Sequence, residues 1–284
     1  MNDKLPWAGR IFVSAYNALP IPFVITSAAF FVSIRLLARM TLESVFGWPV
    51  DDLIHTDRAA SSVPSIFHST ILCPGLFAAF MSHNYNPSEH ISKASKRWQT
   101  LVSALLQFCT GYMLNDLMFL LYRGMSEDSW IPQLSTGDLM FVGHHIVTAT
   151  YMTQTRVYQA GHMSAMICML LGELSNPVHN LYLILEIASE LDCCYGPILM
   201  KLHEFVPGIF AIIYIVLRAF VGPVFLLHCT WNLLFSKDAK ENLPLWVRIF
   251  WSTMIWGVVF GSIPEIMACK DLATSFLAGK EQEL

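Results

Sequence analysis

Charged side chains are scarce in this sequence. Asp, Glu, Lys and Arg make up 13% of its 284 residues, against about 25% in an ordinary soluble domain, while 55% are hydrophobic and the mean hydropathy is +0.50. That shortage excludes a conventional soluble enzyme and defines a polytopic membrane protein. A basic stripe is missing as well. With 17 Lys and Arg against 21 Asp and Glu, the formal charge is -4, which argues against a nucleic-acid partner. The seven cysteines show no CxxC spacing, and most lie in apolar runs where a thiol behaves as a small hydrophobe. Neither a disulfide framework nor a metal site is expected.

Further absences narrow the class. No lysine lies in the membrane to form a retinal Schiff base, and Asn176-Pro177 lacks the tyrosine of a receptor NPxxY. His144 and His145 come without the HxxxH or HxxHH clusters of membrane di-iron hydroxylases. Met1 to Leu19 is short and mixed and has no small-residue cleavage site, so it does not read as a removable signal peptide.

What is present is a series of apolar segments of the roughly 20 residues that cross ~30 Å of hydrocarbon. They predict seven transmembrane helices, at 20–40, 63–82, 98–122, 138–154, 161–186, 205–235 and 246–268. Arg35 and Arg39 near the end of the first can snorkel. The connection from Thr41 to Ser62 is acidic, and the one holding Lys93, Lys96 and Arg97 is basic. Pro74 takes a donor from the carbonyl of Thr70 and predicts a kink. Trp130 and Pro132 mark an interfacial loop, and residues 192–204 read as another loop.

Polar groups inside these segments need partners or a task, because an unpaired charge or amide in hydrocarbon costs several kcal/mol. The third segment holds Tyr112, Asn115 and Asp116, the fourth His144 and His145, the fifth Glu173, Asn176 and Asn180, and the sixth Arg218. Adjacent residues on a helix point about 100° apart, so at most one of the two histidines faces a given site. Pro177 deprives the carbonyl of Glu173 of its donor, and Asn176 and Asn180 fall on the face of Glu173 at helical spacing. Asp116 and Arg218 are either a bundle ion pair or functional groups. His68, His228 and Asn232 read as structural.

Four short motifs occur in order on successive segments: Ser65, His68 and Ser69 in SIFHS; Gly111, Tyr112, Asp116 and Leu117 in GYxxxDL; the histidine pair; and Glu173, Ser175, Pro177 and Asn180 in GExSNPxxN. Together they resemble the TLC family, which includes ceramide synthases and the translocating-chain-associating membrane protein. The likeness runs over 57–268, leaving an amino-terminal segment at 1–56 with the first helix and a tail at 269–284. It implies a six-helix core around a central chamber that takes a lipid chain, a peripheral first helix, and an endoplasmic-reticulum membrane. Ceramide synthases carry a His-Asp pair and a further Asp in the helix after the histidine pair, whereas SAMICMLLGELSNP has Glu173 as its only carboxylate. The GExSNPxxN form is similar to the TLC-domain-containing branch, which is linked to membrane lipid composition.

The resemblance implies a role in membrane lipid homeostasis, by binding a lipid or regulating lipid composition. The alternative is an acyl-CoA-dependent N-acyltransferase making ceramide-like lipids. There His145, oriented by Asp116 or Glu173, would be base or nucleophile on an acyl thioester, with a sphingoid-type amine as acceptor. A lipid transporter is a third reading. The candidate catalytic residues are His144, His145, Asp116 and Glu173; Tyr112, Asn115, Asn176, Asn180 and Arg218 are candidates for lipid contact. No bound cofactor is expected, acyl-CoA entering only as a co-substrate, and the partner is a membrane lipid or fatty acyl chain.

Overall fold

The computed structural model describes residues 5–19, 21–50, 52, 55–125, 132–191 and 196–281. Among these residues the chain is all-α, with no named strand. Its helices are α1 (Trp7–Ala18), α2 (Phe23–Ser44), α3 (Thr56–Ser82), α4 (Lys96–Gly124), α5 (Thr136–Tyr158), α6 (His162–Glu173), α7 (Asn176–Glu190), α8 (Pro197–Ile215), α9 (Gly222–Phe235), α10 (Lys237–Asn242), α11 (Leu245–Gly261) and α12 (Ile263–Glu281). Among the described residues five stretches are long and apolar enough to cross a membrane: Phe23–Ser44, Thr56–Ser82, Lys96–Gly124, Pro197–Phe235 and Leu245–Ala278. Large apolar side chains such as Phe67, Met118, Phe220, Val224 and Trp231 are exposed, the pattern of a surface solvated by lipid rather than water.

The helices depart from the sequence expectation where a local group changes the backbone. The mixed segment before the first span forms α1, whose Ala8, Gly9 and Phe12 are buried. The acidic connection is shorter than expected, because α3 starts at Thr56 and runs unbroken through Pro64 and Pro74. The expected fifth span is two helices, α6 and α7, separated by Leu174 and Ser175 just before Pro177, which lacks the N–H that would continue the ladder. Each half is too short to cross a membrane alone, and α5 also falls outside the five. Residues 197–204 are the start of α8 rather than a loop. A single π-helical turn, Val216–Val221, joins α8 to α9, and the Gly222 N–H donates to the carbonyl of Leu217. The wider turn lets the ladder pass Pro223, which offers no donor. The seventh span divides at Ser262 before Pro264, and α12 carries most of the expected tail, with Cys269 and Ala273 buried at helical spacing. Trp130, Cys193 and Cys194 lie outside the described residues; none of the described cysteines is joined in a disulfide.

The chain divides into two compact units. The first comprises Met1–Val32, Ile71–Leu170 and His228–Ile255. Within it α1 packs on α4, and α4 on α5. Leu101, Leu105 and Leu106 of α4 are fully buried, as are Leu72 and Leu76 of α3. Close approach to α4 depends on Gly111, where an added Cβ would stand 2.6 Å from the carbonyl oxygen of Val24. Tyr112 beside it packs its ring on Phe31, with centroids 5.2 Å apart. Two devices start the helices here. Ser95 caps α4 by accepting from the Trp98 N–H, and Ser135 and Asp138 form a reciprocal capping box on α5. The turn from α5 to α6 uses left-handed backbone at Gln159 (φ 55°) and Gly161 (φ 78°). Gly161 is doubly constrained, since a Cβ there would meet the Trp251 ring at 2.5 Å. Near this turn's end of the unit, Ser88 bonds Asn232 and Ser236, and Asp238 takes bonds from Asn86 and Lys93. Tyr85 meets His228 Nδ1 at 3.0 Å.

The second unit comprises Ser33–Thr70, Leu171–Leu227 and Trp256–Leu284. Here α8 packs on α7 and on α12. Phe210, Ala211, Tyr214, Cys269 and Ala273 form one buried cluster, and Trp48, Ala59, Ile187 and Ala188 another. Arg35 and Arg39 find a partner within the chain. Both turn to the buried carboxylate of Asp57, at 3.3 and 3.4 Å, and Arg39 also meets Glu43 at 2.8 Å. A carboxylate with 1% of its side chain exposed is a stronger electrostatic attractor than a distant aqueous phase.

Candidate functional site

The unit built on α4 and α5 contains a histidine–aspartate pair. His145 Nε2 lies 2.9 Å from Asp116 Oδ2. The other ring nitrogen, Nδ1, is 2.6 Å from the carbonyl oxygen of Phe141, one turn back on α5. A carbonyl only accepts, so Nδ1 carries a hydrogen. The contact between Nε2 and Oδ2 then has to hold one further proton, because two bare lone pairs at that distance repel. Whether that proton is written on the imidazole or on the carboxyl, the pair as a whole is neutral. Neutrality is what makes it tolerable among apolar helices, where a lone charge costs several kcal/mol. The two members are unequally covered, with 6% of the His145 side chain exposed and 28% of Asp116.

Neighbouring candidates take other roles. The His144 ring stands at 83° to that of His145, centroids 5.7 Å apart, so the two histidines face different surroundings as their helical spacing requires. Asn115 and Tyr112 are buried. In the GYxxxDL motif, Gly111 and Tyr112 serve packing, and Asp116 meets the histidine. Asp116 pairs with His145, and Arg218 Nη2 donates to the carbonyl of Gly172 at 3.2 Å while its guanidinium lies over the Tyr214 ring. Gly172 is at the end of α6, where carbonyls lose their helical donors, so Arg218 acts there as a cationic cap.

In the other unit, Glu173 gathers a second polar cluster from α3, α6 and α7. Its Oε2 accepts from Ser69 Oγ at 2.6 Å and from Asn176 Nδ2 at 3.0 Å, and meets His68 Nδ1 at 3.2 Å. Asn180 Nδ2 donates to Ser65 Oγ at 2.9 Å and to the carbonyl of Asn176. The arrangement follows from two spacings. SIFHS puts Ser65, His68 and Ser69 on one face of α3, and the break before Pro177 leaves Asn176 able to turn back to Glu173. The side chains of His68 and Glu173 are 0% and 7% exposed. His68 reads from the sequence as structural, with no partner named; its position one residue before Ser69, on the face of Ser65, is the available signal for the cluster.

An all-α polytopic protein with a His–Asp pair on adjacent helices and a buried carboxylate cluster at a helix break is the class this geometry defines. The family model described as TLC domain matches residues 58–263, and the chain belongs to that family. Membership carries a membrane-lipid-related function and a multi-pass integral membrane placement. The search of curated proteins and the search of solved structures each returned no match.

Proposed function

We propose that this chain acts in membrane lipid homeostasis by binding a lipid and adjusting membrane composition, with Asp116 and His145 as its functional pair and Glu173 as the tie that fixes α6 and α7 to α3. The observation that carries this reading is the full engagement of His145. A general base needs a free nitrogen within hydrogen-bond reach of the proton it takes. Here Nδ1 is spent on the Phe141 carbonyl and Nε2 on Asp116. The more exposed group is the Asp116 carboxyl, which offers its second oxygen to a polar lipid group without disturbing the pair. Tyr112 and Asn115 belong to the same helix, whereas Asn176 and Asn180 serve the Glu173 cluster.

A second reading, the acyl-CoA-dependent N-acyltransferase, draws on the contact between His145 and Asp116 itself, since an oriented imidazole is the usual partner for a thioester. It requires His145 to release one of its two bonds. An endoplasmic-reticulum location is part of either proposal. The test pairs lipidomics of a knock-out with an assay of purified protein supplied with acyl-CoA and a sphingoid base. Our reading expects an altered lipid profile and no N-acylation. Acylation that disappears in His145→Ala would replace it with the enzyme.

A further inference from the structure

The helix ends in the first unit border an open cavity that neither polar cluster uses. It measures about 310 Å³ and is lined by Tyr16 of α1, Gln99, Thr100 and Ser103 of α4, Arg156 of α5 and His162 of α6, among others. Arg156 lies eleven residues beyond His145, roughly 16 Å along α5, so this is a separate place from the His–Asp pair. No carboxylate lines it.

Its walls are built to donate hydrogen bonds. Gln107, itself 5% exposed, uses one amide nitrogen to donate to both the Tyr16 and the Ser103 hydroxyl oxygens, each at 3.1 Å. Each hydroxyl thereby fills an acceptor position, and since the two oxygens also meet at 3.4 Å, one proton is shared between them and the other is left for a ligand. The proton of Thr100 is committed to the carbonyl of Lys96, at 3.0 Å. Arg156 is partly buried in the last turn of α5 and makes no ion pair among the described residues. His162 is 3% exposed, and its Nδ1 is buried with no hydrogen-bond partner there. A buried ring nitrogen left in this state costs about 1–3 kcal/mol, a cost that a ligand removes.

We infer that this cavity binds a phosphate group, with the Arg156 guanidinium as its counter-charge and the Tyr16 hydroxyl, the Ser103 hydroxyl and His162 Nδ1 completing its shell. A guanidinium fork together with several neutral donors matches the oxygens of a phosphate. Both a phospholipid headgroup and a soluble phosphate offer that chemistry. Lys96, at the start of α4, reaches Gln99 of the cavity wall at 3.5 Å and favours an anion on either route.

The experiment uses the purified full-length chain. In one arm inorganic phosphate is titrated in neutral detergent and thermal stability is read. In the other, the chain is placed in phosphatidylcholine nanodiscs with or without phosphatidic acid, and retained lipid is measured by native mass spectrometry. We expect a stability rise or selective retention of phosphatidic acid, reduced about tenfold or more in Arg156→Gln and severalfold in Ser103→Ala, with Arg156→Lys between. The exposed Lys237→Gln, remote in chemistry from the cavity, should bind as the wild type does. A response to phosphate alone identifies a soluble ligand, and a response to phosphatidic acid alone a lipid headgroup. Binding of neither probe, or equal binding by the wild type and Arg156→Gln, overturns the inference. Should Arg156→Gln fail to fold, undiminished binding by Ser103→Ala overturns it equally.

Discussion

Glu173 and Asp116 are both carboxyl groups in apolar helices, and they are treated in opposite ways. Glu173 has one oxygen bonded by Ser69 and Asn176 and in contact with His68, and it is closed off from its surroundings. Asp116 has one partner among the described residues, His145, and 28% of its side chain exposed. A saturated, buried carboxylate holds elements together; a single-partner carboxyl with an open side remains available to a ligand. Residue type alone, a carboxylate in a membrane helix, would have assigned both the same role.

The largest effect expected from this contrast is on folding. Glu173→Ala strands the donors of Ser69, His68 and Asn176 in a buried site, and should destabilise the protein by about 3–5 kcal/mol, the range for breaking a buried pair. Thermal unfolding in detergent should show little or no folded protein. Glu173→Gln keeps an acceptor and should lose about 1–3 kcal/mol. If Glu173→Ala melts like the wild type, the tie between α3 and the α6–α7 break is not a stabilising one.

A defect of packing alone sharpens the comparison from another side. Gly161→Ala puts a Cβ against Trp251 and a side chain on left-handed backbone, and should cost about 2–4 kcal/mol from strain and overpacking combined. Lower abundance with an unchanged lipid profile per folded molecule is the expected result. It supplies the baseline against which an effect on function is judged.

Asp116→Asn should be milder in stability, about 1–2 kcal/mol, since the amide still meets His145 but cannot share its proton. The smallest effect concerns the second unit's edge. His55 meets Asp52 at 2.8 Å and Glu190 at 3.2 Å, and the hydrogen bond to Asp52 raises its pKa above the ordinary value. A raised histidine stabilises fully below the unfolded value of about 6.5 and less as pH climbs through the folded value. Because the group is partly exposed and screened by solvent, the gain is only a few tenths of a kcal/mol. A shallow fall in melting temperature above about pH 6.5 should disappear in His55→Gln.

Much of this was legible in the residues, and the rest was hidden for identifiable reasons. Composition and long apolar runs carry the all-α membrane class, because hydrocarbon leaves the backbone no other simple solution. The pairing of His145 with Asp116 was among the alternatives that polarity and order raised. Helix interruptions were harder. Pro177 breaks its helix while Pro74 does not, and Pro223 is absorbed by a π turn, so the same residue type gave three outcomes decided by its neighbours. The expected tail became α12 because Cys269 and Ala273 find a partner in Phe210 and Tyr214, a long-range contact with no local sign. The Glu173 cluster was half visible: Asn176 and Asn180 follow from spacing, but Ser69 and His68 come from a helix more than a hundred residues away. Arg218 as a cap on Gly172 had no signal, since the carbonyl it serves is exposed only by the break.

The most direct test of the account is the lipid profile of cells in which the chain is replaced by Asp116→Asn, normalised to the amount of folded protein and read beside Gly161→Ala. Asp116→Asn should give a profile that matches the null, although folded protein remains plentiful, and Gly161→Ala a wild-type profile per folded molecule. A wild-type profile in Asp116→Asn, or a change that only tracks abundance in both, would contradict the assignment of Asp116 and His145 as the functional pair.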